Sequence, residues 1–223
     1  MVSSTGLKDV DGLGDDKRRV RRGETRRSEV AAVALRIFLE RGYSQTTMQA
    51  IAEQAGASKE TLYRHFSNKE GLFTEIVRLK SEQIALSLDE DLTLNVTPAE
   101  VLRGVGMTLL KTLSCGDVLT FYGWVVAETP RAPEVGRIFY ETGPAIFRKR
   151  LREYLERLTQ QKILCCDNAM MATKLFLGSI LADIHMRAMT IGLDGIMSES
   201  QIEEQVEAAV SMFLARYLVV PVK

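Results

Sequence analysis

Apolar residues recur three and four positions apart along most of this chain, and glycines, prolines and small hydroxyl residues cut the pattern into helix-sized pieces. From Glu29 to Arg41 the stripe is Val30, Ala31, Ala34, Leu35, Phe38 and Leu39, and Gly42 follows as a stop suited to left-handed backbone. Thr46-Thr47-Met48-Gln49 predicts the next start, with a threonine N-cap and Gln49 placed for a capping box. Ile51, Ala52 and Ala55 form the apolar side of that helix, and Gly56 stops it. Ser58 can cap a third helix ending by Phe66. Ser67-Asn68-Lys69-Glu70 reads as a second capping box, opening a long helix through Leu72, Phe73, Ile76, Leu79 and Ile84.

The rest of the pattern is longer. Thr97-Pro98-Ala99-Glu100 combines an N-cap, a first-turn proline and a capping-box glutamate ahead of Val101, Leu102, Val105, Leu109 and Leu110. Further helices are expected over about 117–128, 133–160 with a break at Gly143-Pro144, 168–191 and 200–219. No stretch alternates as a strand would. The expected fold is therefore all-α: an N-terminal three-helix helix-turn-helix domain followed by a larger C-terminal helical bundle. The expected division is a flexible basic arm over 1–23, a DNA-binding domain over 24–80 with its motif at about 46–65, and a ligand-binding and dimerisation domain over 81–223.

Composition sharpens this only when the chain is divided. The 223 residues carry no net charge, yet residues 1–80 hold 15 Lys/Arg against 11 Asp/Glu while the remainder holds 14 against 18. Seven basic residues fall between Lys17 and Arg27. A basic front on an acidic body suits a polyanionic partner for the front alone. The arm can enter a minor groove or track phosphates, and equally can be a solvated tail. Asp9, Asp11, Asp15 and Asp16 precede it and could screen it. No apolar run approaches the roughly 18–20 residues of a membrane span, and the polar first thirty residues do not read as a secretory signal, so the expected compartment is the cytoplasm. Cys115, Cys165 and Cys166 match no disulfide framework or zinc spacing. No carboxylate pair or nucleophile–base set points to an enzyme, and no metal or cofactor is expected.

The third helix carries the chemistry. On a helical wheel Lys59, Glu60, Tyr63 and Arg64 fall within an arc of about 140°, while Leu62 and Phe66 turn away from its centre. A helix held from behind and polar in front suits the major groove, where side chains meet base edges. Lys59 and Arg64 can reach guanine or phosphate, Glu60 can accept from a cytosine amino group, and Tyr63 and His65 can donate to phosphate. The same spacing also allows a Glu60–Arg64 pair on a solvated face. The helix starts at Thr46-Thr47 and Ser67 to Lys69 offer amides to phosphate, and Ser58 at the start of the third helix joins the candidate set.

These residues bring a family into view. The run FLERGYSQTTMQAIAEQAGASKETLYRHFSNKEGLF, with its Thr-Leu-Tyr-x-His-Phe core and following Asn-Lys, resembles the DNA-binding domain of TetR-family transcriptional regulators. The resemblance implies phosphate contacts from Thr47, Tyr63, His65 and Lys69, and base-edge or mixed contacts from Lys59, Glu60 and Thr61. The segment RAPEVGRIFYETGPAIFRKRLREYLERL resembles the C-terminal domain of the AefR-like branch.

In the C-terminal part, an aromatic and methionine lining from Met107, Phe121, Trp124, Phe139 and Phe147 suits a pocket for an apolar or aromatic small-molecule effector. His185 could bond a ligand or simply sit in the core. The last two helices are the dimer candidates, through Leu175, Leu181, Ala182, Val206, Val210 and Phe213, and the resemblance implies their pairing across a two-fold axis. The expected partners are double-stranded DNA carrying a palindromic operator, the effector and a second copy of the chain, with no membrane. The expected function is a sequence-specific repressor released by effector, with a ligand-independent DNA-organising or protein-interaction factor as the alternative.

Overall fold

The computed structural model describes residues 12–91, 97–182, 184–191 and 197–219, with side chains at all of these except 12–23, 82–91, 185, 188 and 189. Two compact units divide between Ile76 and Val77. Among the described residues the regular structure is helical, as expected, with one isolated bridge between Leu164 and Leu218.

The N-terminal unit holds α1 (Gly12–Arg41), α2 (Met48–Gln54), α3 (Lys59–Phe66) and the start of α4 (Lys69–Asp91). The stretch expected as a flexible arm is helical from Gly12 onward. Lysine and arginine are good helix formers and no proline interrupts the run, which favours extension of α1 back through it despite Gly14 and Gly23. Val30, Ala31, Ala34, Ile37 and Phe38 face the core, whereas Leu39 lies on the opposite side and is exposed. Phe38, Tyr43 and Phe73 meet at centroid distances of 5.2, 5.7 and 6.2 Å, an aromatic centre joining α1, the turn after it and α4. Gly42 ends α1 at φ 81.

The N-caps of α2 and α4 differ from expectation by one residue, while Ser58 caps α3 as expected. Thr47, not Thr46, caps α2 by accepting from the Ala50 amide, and Gln49 bonds Glu53 instead of closing a capping box. Thr46 is turned inward, its hydroxyl donating to the Gly42 carbonyl at 2.8 Å. At α4 the acceptor is Asn68, whose Oδ1 takes the Gly71 amide at 2.8 Å, because Ser67 serves as the C-cap of α3 at φ 60.

The C-terminal unit comprises the rest of α4 with α5 (Pro98–Leu113), α6 (Gly116–Glu128), α7 (Pro133–Thr142), α8 (Pro144–Gln160), α9 (Ala169–Leu181), α10 (Ile184–Thr190) and α11 (Glu199–Tyr217). Thr97 and Glu100 form the expected capping box, and Ser198 with Gln201 forms another at α11. Gly143 separates α7 from α8 where the Gly-Pro pair predicts a break. The single helix expected over 168–191 is two, because Ala182 departs from helical backbone at φ 33. No glycine or proline marks that point in the sequence. α5, α8, α9 and α11 enclose the core, centred on Leu102, Leu110, Leu151, Leu155, Phe176 and Val206. Past Tyr217 the chain pairs with 163–165: the Cys165 amide donates to the Tyr217 carbonyl and the Val219 amide to that of Ile163.

Candidate functional site

Helix α3 is anchored by its back. Leu62 and Phe66 are 1% and 3% exposed, while Lys59, Glu60, Tyr63 and Arg64 are exposed and Thr61 and His65 half-buried. Ser58 fixes the first turn, its Oγ accepting from the Thr61 amide at 3.1 Å and sharing a hydroxyl bond with Thr61 at 2.8 Å. The turn before it needs Gly56, whose φ of +57 few side chains tolerate. At the other end Gly71 lets α4 approach closely, since a Cβ there would lie 2.1 Å from the Phe66 carbonyl oxygen. The Lys59 ammonium sits over the Tyr63 ring at 5.9 Å, which orders both side chains on the outward face. Glu60 and Arg64 form no ion pair with each other among the described residues, so their hydrogen-bonding groups remain available. The face brings together seven of the expected residues, Ser58, Lys59, Glu60, Thr61, Tyr63, Arg64 and His65, with exposed Thr47 at the start of α2.

Two expected contact residues turn inward. Thr46 is 2% exposed and satisfied by Gly42. Lys69 donates to the Tyr43 carbonyl at 2.9 Å and the Thr46 carbonyl at 3.1 Å, with its ammonium 4.2 Å from the Tyr43 ring centre. It brackets the turn between α1 and α2 against α4. Its charge there answers carbonyl dipoles that the turn leaves without helical partners.

The basic run conceals a similar pair. Arg26 donates to the Ala55 and Gly56 carbonyls at 2.8 and 3.1 Å, closing the C-terminus of α2, and also pairs with Glu29. Arg27 pairs with buried Glu75 at 3.2 Å and lies 5.5 Å over the Phe66 ring. Both residues therefore set where α3 sits. The available signal was Glu75 itself, a carboxylate in the apolar stripe of α4 between Phe73 and Ile76, which demands a cation. His65 has its pKa lowered by burial first, then by Arg64 and Arg27, which favours the neutral ring in the free protein.

The C-terminal unit contains a cavity of about 610 Å³ between α4, α5, α6, α7, α8 and α9. Phe121, Phe139 and Phe147 line it, as expected. Trp124 stands behind the wall, stacked on Phe121 at 6.1 Å and 15°, and Met107 packs against the core instead. On a helix the neighbours of a lining residue face other directions, which is why an aromatic-rich stretch overstates the lining. Tyr122 and Tyr140 also line the cavity, and so do four basic residues that sequence reasoning missed: Arg78, Lys80, Arg148 and Arg150.

The expected dimer face divides. Val206, Val210 and Phe213 are buried in the intrachain core, and Leu181 is half-buried beside the cavity. Leu175 is 56% exposed, and Ala182 is exposed. With Met171 and Gly178 they make an outward apolar strip on α9, next to exposed Ala208, Met212 and Ala215 on α11. The α11 strip is half a turn from the one expected, since the most apolar side of that helix is needed by its own core. Asp183 and the side chains of His185 and Met189 lie outside the described residues. Cys166 is buried, which raises its pKa, and Cys115 and Cys165 are exposed. Among the described residues no cluster suits a metal ion and no helix is long and apolar enough to cross a membrane.

A helix-turn-helix presenting a polar recognition helix, followed by a helical unit with an internal cavity, defines a class of bacterial regulator, and similarity to known proteins gives the family. The chain belongs to the TetR family of transcriptional regulators: residues 31–76 match the model for bacterial regulatory proteins of the tetR family, and residues 100–219 match that for the C-terminal domain of AefR-like transcriptional repressors. Among solved structures, a TetR-family regulator from Mesorhizobium loti is 28% identical with a TM-score of 0.73, covering 89% of this chain and 99% of that one. The Flavonoid-responsive Regulator FrrA is 30% identical with a TM-score of 0.71, covering 87% and 98%. The HTH-type transcriptional regulator AcrR of Shigella flexneri is 34% identical over 87 residues, 39% of this chain and 40% of its own length. The HTH-type transcriptional repressor KstR2 of Rhodococcus jostii is 43% identical over 53 residues, 24% and 26%. The chain thus matches well under half the length of these curated relatives.

Proposed function

We propose that the protein is a sequence-specific DNA-binding repressor that sits as a homodimer on a palindromic operator and is released when a small molecule fills the cavity of residues 77–223. The observation that carries this is the polarity of α3: its back is buried through Leu62 and Phe66, and its front offers Lys59, Glu60, Tyr63 and Arg64 to a groove. In this reading Lys59, Glu60 and Arg64 meet base edges, while Thr47, Tyr63 and His65 hold phosphates. Regulators and repressors among the relatives support it, and none of those named is an enzyme.

Dimerisation follows from geometry of the target as much as of the protein. A single α3 reads a few base pairs, and two copies related by a two-fold axis read a palindrome. The apolar strips of Met171, Leu175 and Gly178 on α9 and Met212 on α11 are the surface for that contact. Leu175→Arg should give monomers in sedimentation at unchanged melting temperature. Effector response rests on the cavity, and the solved relative named as flavonoid-responsive supports an aromatic body for the effector. Binding must favour one spacing of the two recognition helices over another, which requires different effector affinity for the two states.

The test is selection of bound duplexes from a random pool, run with wild type and Tyr63→Ala. A palindromic consensus for wild type, bound at least about tenfold more weakly by the variant, supports the repressor reading. Enrichment of nothing, with tight but strongly salt-dependent binding to every duplex, overturns it in favour of a DNA-organising factor.

A further inference from the structure

The proposed effector site has an electrostatic character that its aromatic walls do not imply. Four cationic side chains line the cavity, Arg78 and Lys80 from α4 and Arg148 and Arg150 from α8, and no Asp or Glu is among the described lining residues. The surrounding unit carries slightly more carboxylates than cations, 18 against 16 basic residues over 77–223, so a lining of one opposite sign is not a reflection of composition. Both source helices meet at one place. Gly143, at the start of α8, lies so close to α4 that a Cβ there would be 2.8 Å from the Ser81 hydroxyl. The cations thus come from α4 and α8, which approach each other at Gly143, whereas α5 and α9 line the cavity with Leu109, Leu113, Leu177 and Leu181.

Two of the four are suited to a ligand. Lys80 is half-buried with no ion-pair partner among the described residues, and Arg148 lies over the Tyr140 ring at 5.1 Å. Tyr140 and Ile146 are lining residues that are also 52% and 43% exposed, so the cavity opens to solvent beside Arg148. A half-buried cation lining an apolar cavity offers a charge-assisted hydrogen bond to an anion that enters it. Resting on the reading of this cavity as an effector site, we infer that the effector is an anionic amphiphile. Its apolar or aromatic body lies against Phe121, Phe139 and Phe147, and its acidic head, a carboxylate or a phosphate, is held by Lys80 and Arg148.

The probes are dodecanoate, dodecyl phosphate, dodecanol and dodecylamine, each below its micelle concentration, added to the full-length protein. Trp124 is the single tryptophan of the chain and stacks on Phe121 of the cavity wall, so its fluorescence reports occupancy directly. Dodecanoate or dodecyl phosphate should bind at least about tenfold more tightly than dodecanol, with dodecylamine weakest and the gap narrowing as salt rises. Which of the two acids binds more tightly identifies the head group. Lys80→Gln combined with Arg148→Gln should reduce the gap to less than about threefold while leaving dodecanol affinity unchanged, and Arg148→Lys should retain most of it. Should the double variant unfold, Arg148→Lys and the salt series still decide the matter.

Equal affinity for acid and alcohol, or preference for the amine, overturns the inference. Release of operator DNA is measured in parallel to separate the two readings. If acid and alcohol bind equally and both release DNA, the anionic head is wrong and the repressor reading stands. If the acids bind selectively and DNA stays bound, the head-group inference holds and effector release fails. No fluorescence change with any of the four overturns both.

Discussion

In the N-terminal unit, Arg26, Arg27 and Lys69 turn inward onto carbonyl oxygens, a carboxylate and aromatic rings, while Lys59 and Arg64 on α3 turn outward. In the C-terminal unit, Lys80 and Arg148 line a cavity whose other walls are largely aromatic and aliphatic. The same residue types thus sit in three settings, and these differ in the supply of oxygen acceptors within reach. Where the turns at 43–46 and 55–56 leave carbonyls without helical partners, a cation is held and becomes a strut. On α3 Lys59 and Arg64 are exposed and form no ion pair among the described residues, and in the proposed function they are assigned to DNA. The cavity wall offers mainly rings and aliphatic groups, and the proposed effector site assigns Lys80 and Arg148 to a ligand.

The largest effect expected from breaking this contrast comes from the aromatic centre that fixes the N-terminal unit. Phe73→Ala should cost about 3–5 kcal/mol. The loss should appear in hydrogen exchange as collapse of protection over α1 to α3, with α5, α8, α9 and α11 still protected. Loss of protection in both units together would show that they unfold as one, and the comparison of units would lose its basis.

Next in size is the difference between a strut and a reader. Lys69→Met removes the donor for two carbonyls and should destabilise by about 1–3 kcal/mol, with operator affinity falling only as far as the fold does. Tyr63→Ala should leave the melting temperature unchanged and weaken operator binding by about tenfold or more. If Lys69→Met melts like wild type but loses DNA, the ammonium leaves its carbonyls for phosphate in the complex, and the residue belongs with the readers. Lys59→Ala should act more narrowly still. It should relax preference at one position of each half-site, a discrimination worth about 1–3 kcal/mol, where Tyr63→Ala weakens all duplexes alike.

The outward face of α3, proposed to read DNA, was the part of the molecule most open to sequence reasoning. Helical periodicity assigned Leu62 and Phe66 to the back of α3 and left Lys59, Glu60, Tyr63 and Arg64 in front, because a short helix has few ways to bury two large apolar residues. Gly42, Gly56 and the Thr97 capping box were equally legible, being local chemistry. The struts were not, since a lysine or arginine reveals its partner only when distant carbonyls are brought to it. Thr46 and Thr47 show the limit plainly: either hydroxyl can cap a helix, and the nearby Gly42 carbonyl decides which one does not. The cavity was half legible, aromatics on three helices predicting Phe121, Phe139 and Phe147 but not the cations from α4 and α8. On α11 the sequence pattern marks the most apolar side, and the core of the same chain uses that side first.

The smallest effect separates readers among themselves, and it depends on pH. His65 has a pKa below 6.5 because burial disfavours its charged form and Arg64 and Arg27 repel the added proton. Between pH 6.5 and the lower native value the unfolded chain therefore binds more proton at this residue than the native protein does. Its contribution is complete above 6.5, and stability falls as pH drops from there through the depressed native value. Operator DNA should act in the opposite sense. A phosphate beside the ring favours the imidazolium, so the complex takes up the proton and affinity rises across the same window while free-protein stability declines. Melting and binding measured for wild type and His65→Gln between about pH 8 and 5.5 should show both slopes in the wild type and neither in the variant. If wild type and variant share the affinity slope, His65 packs against Phe66 without meeting phosphate. Its neutrality would then mark it as the one residue of the α3 face that belongs with the struts.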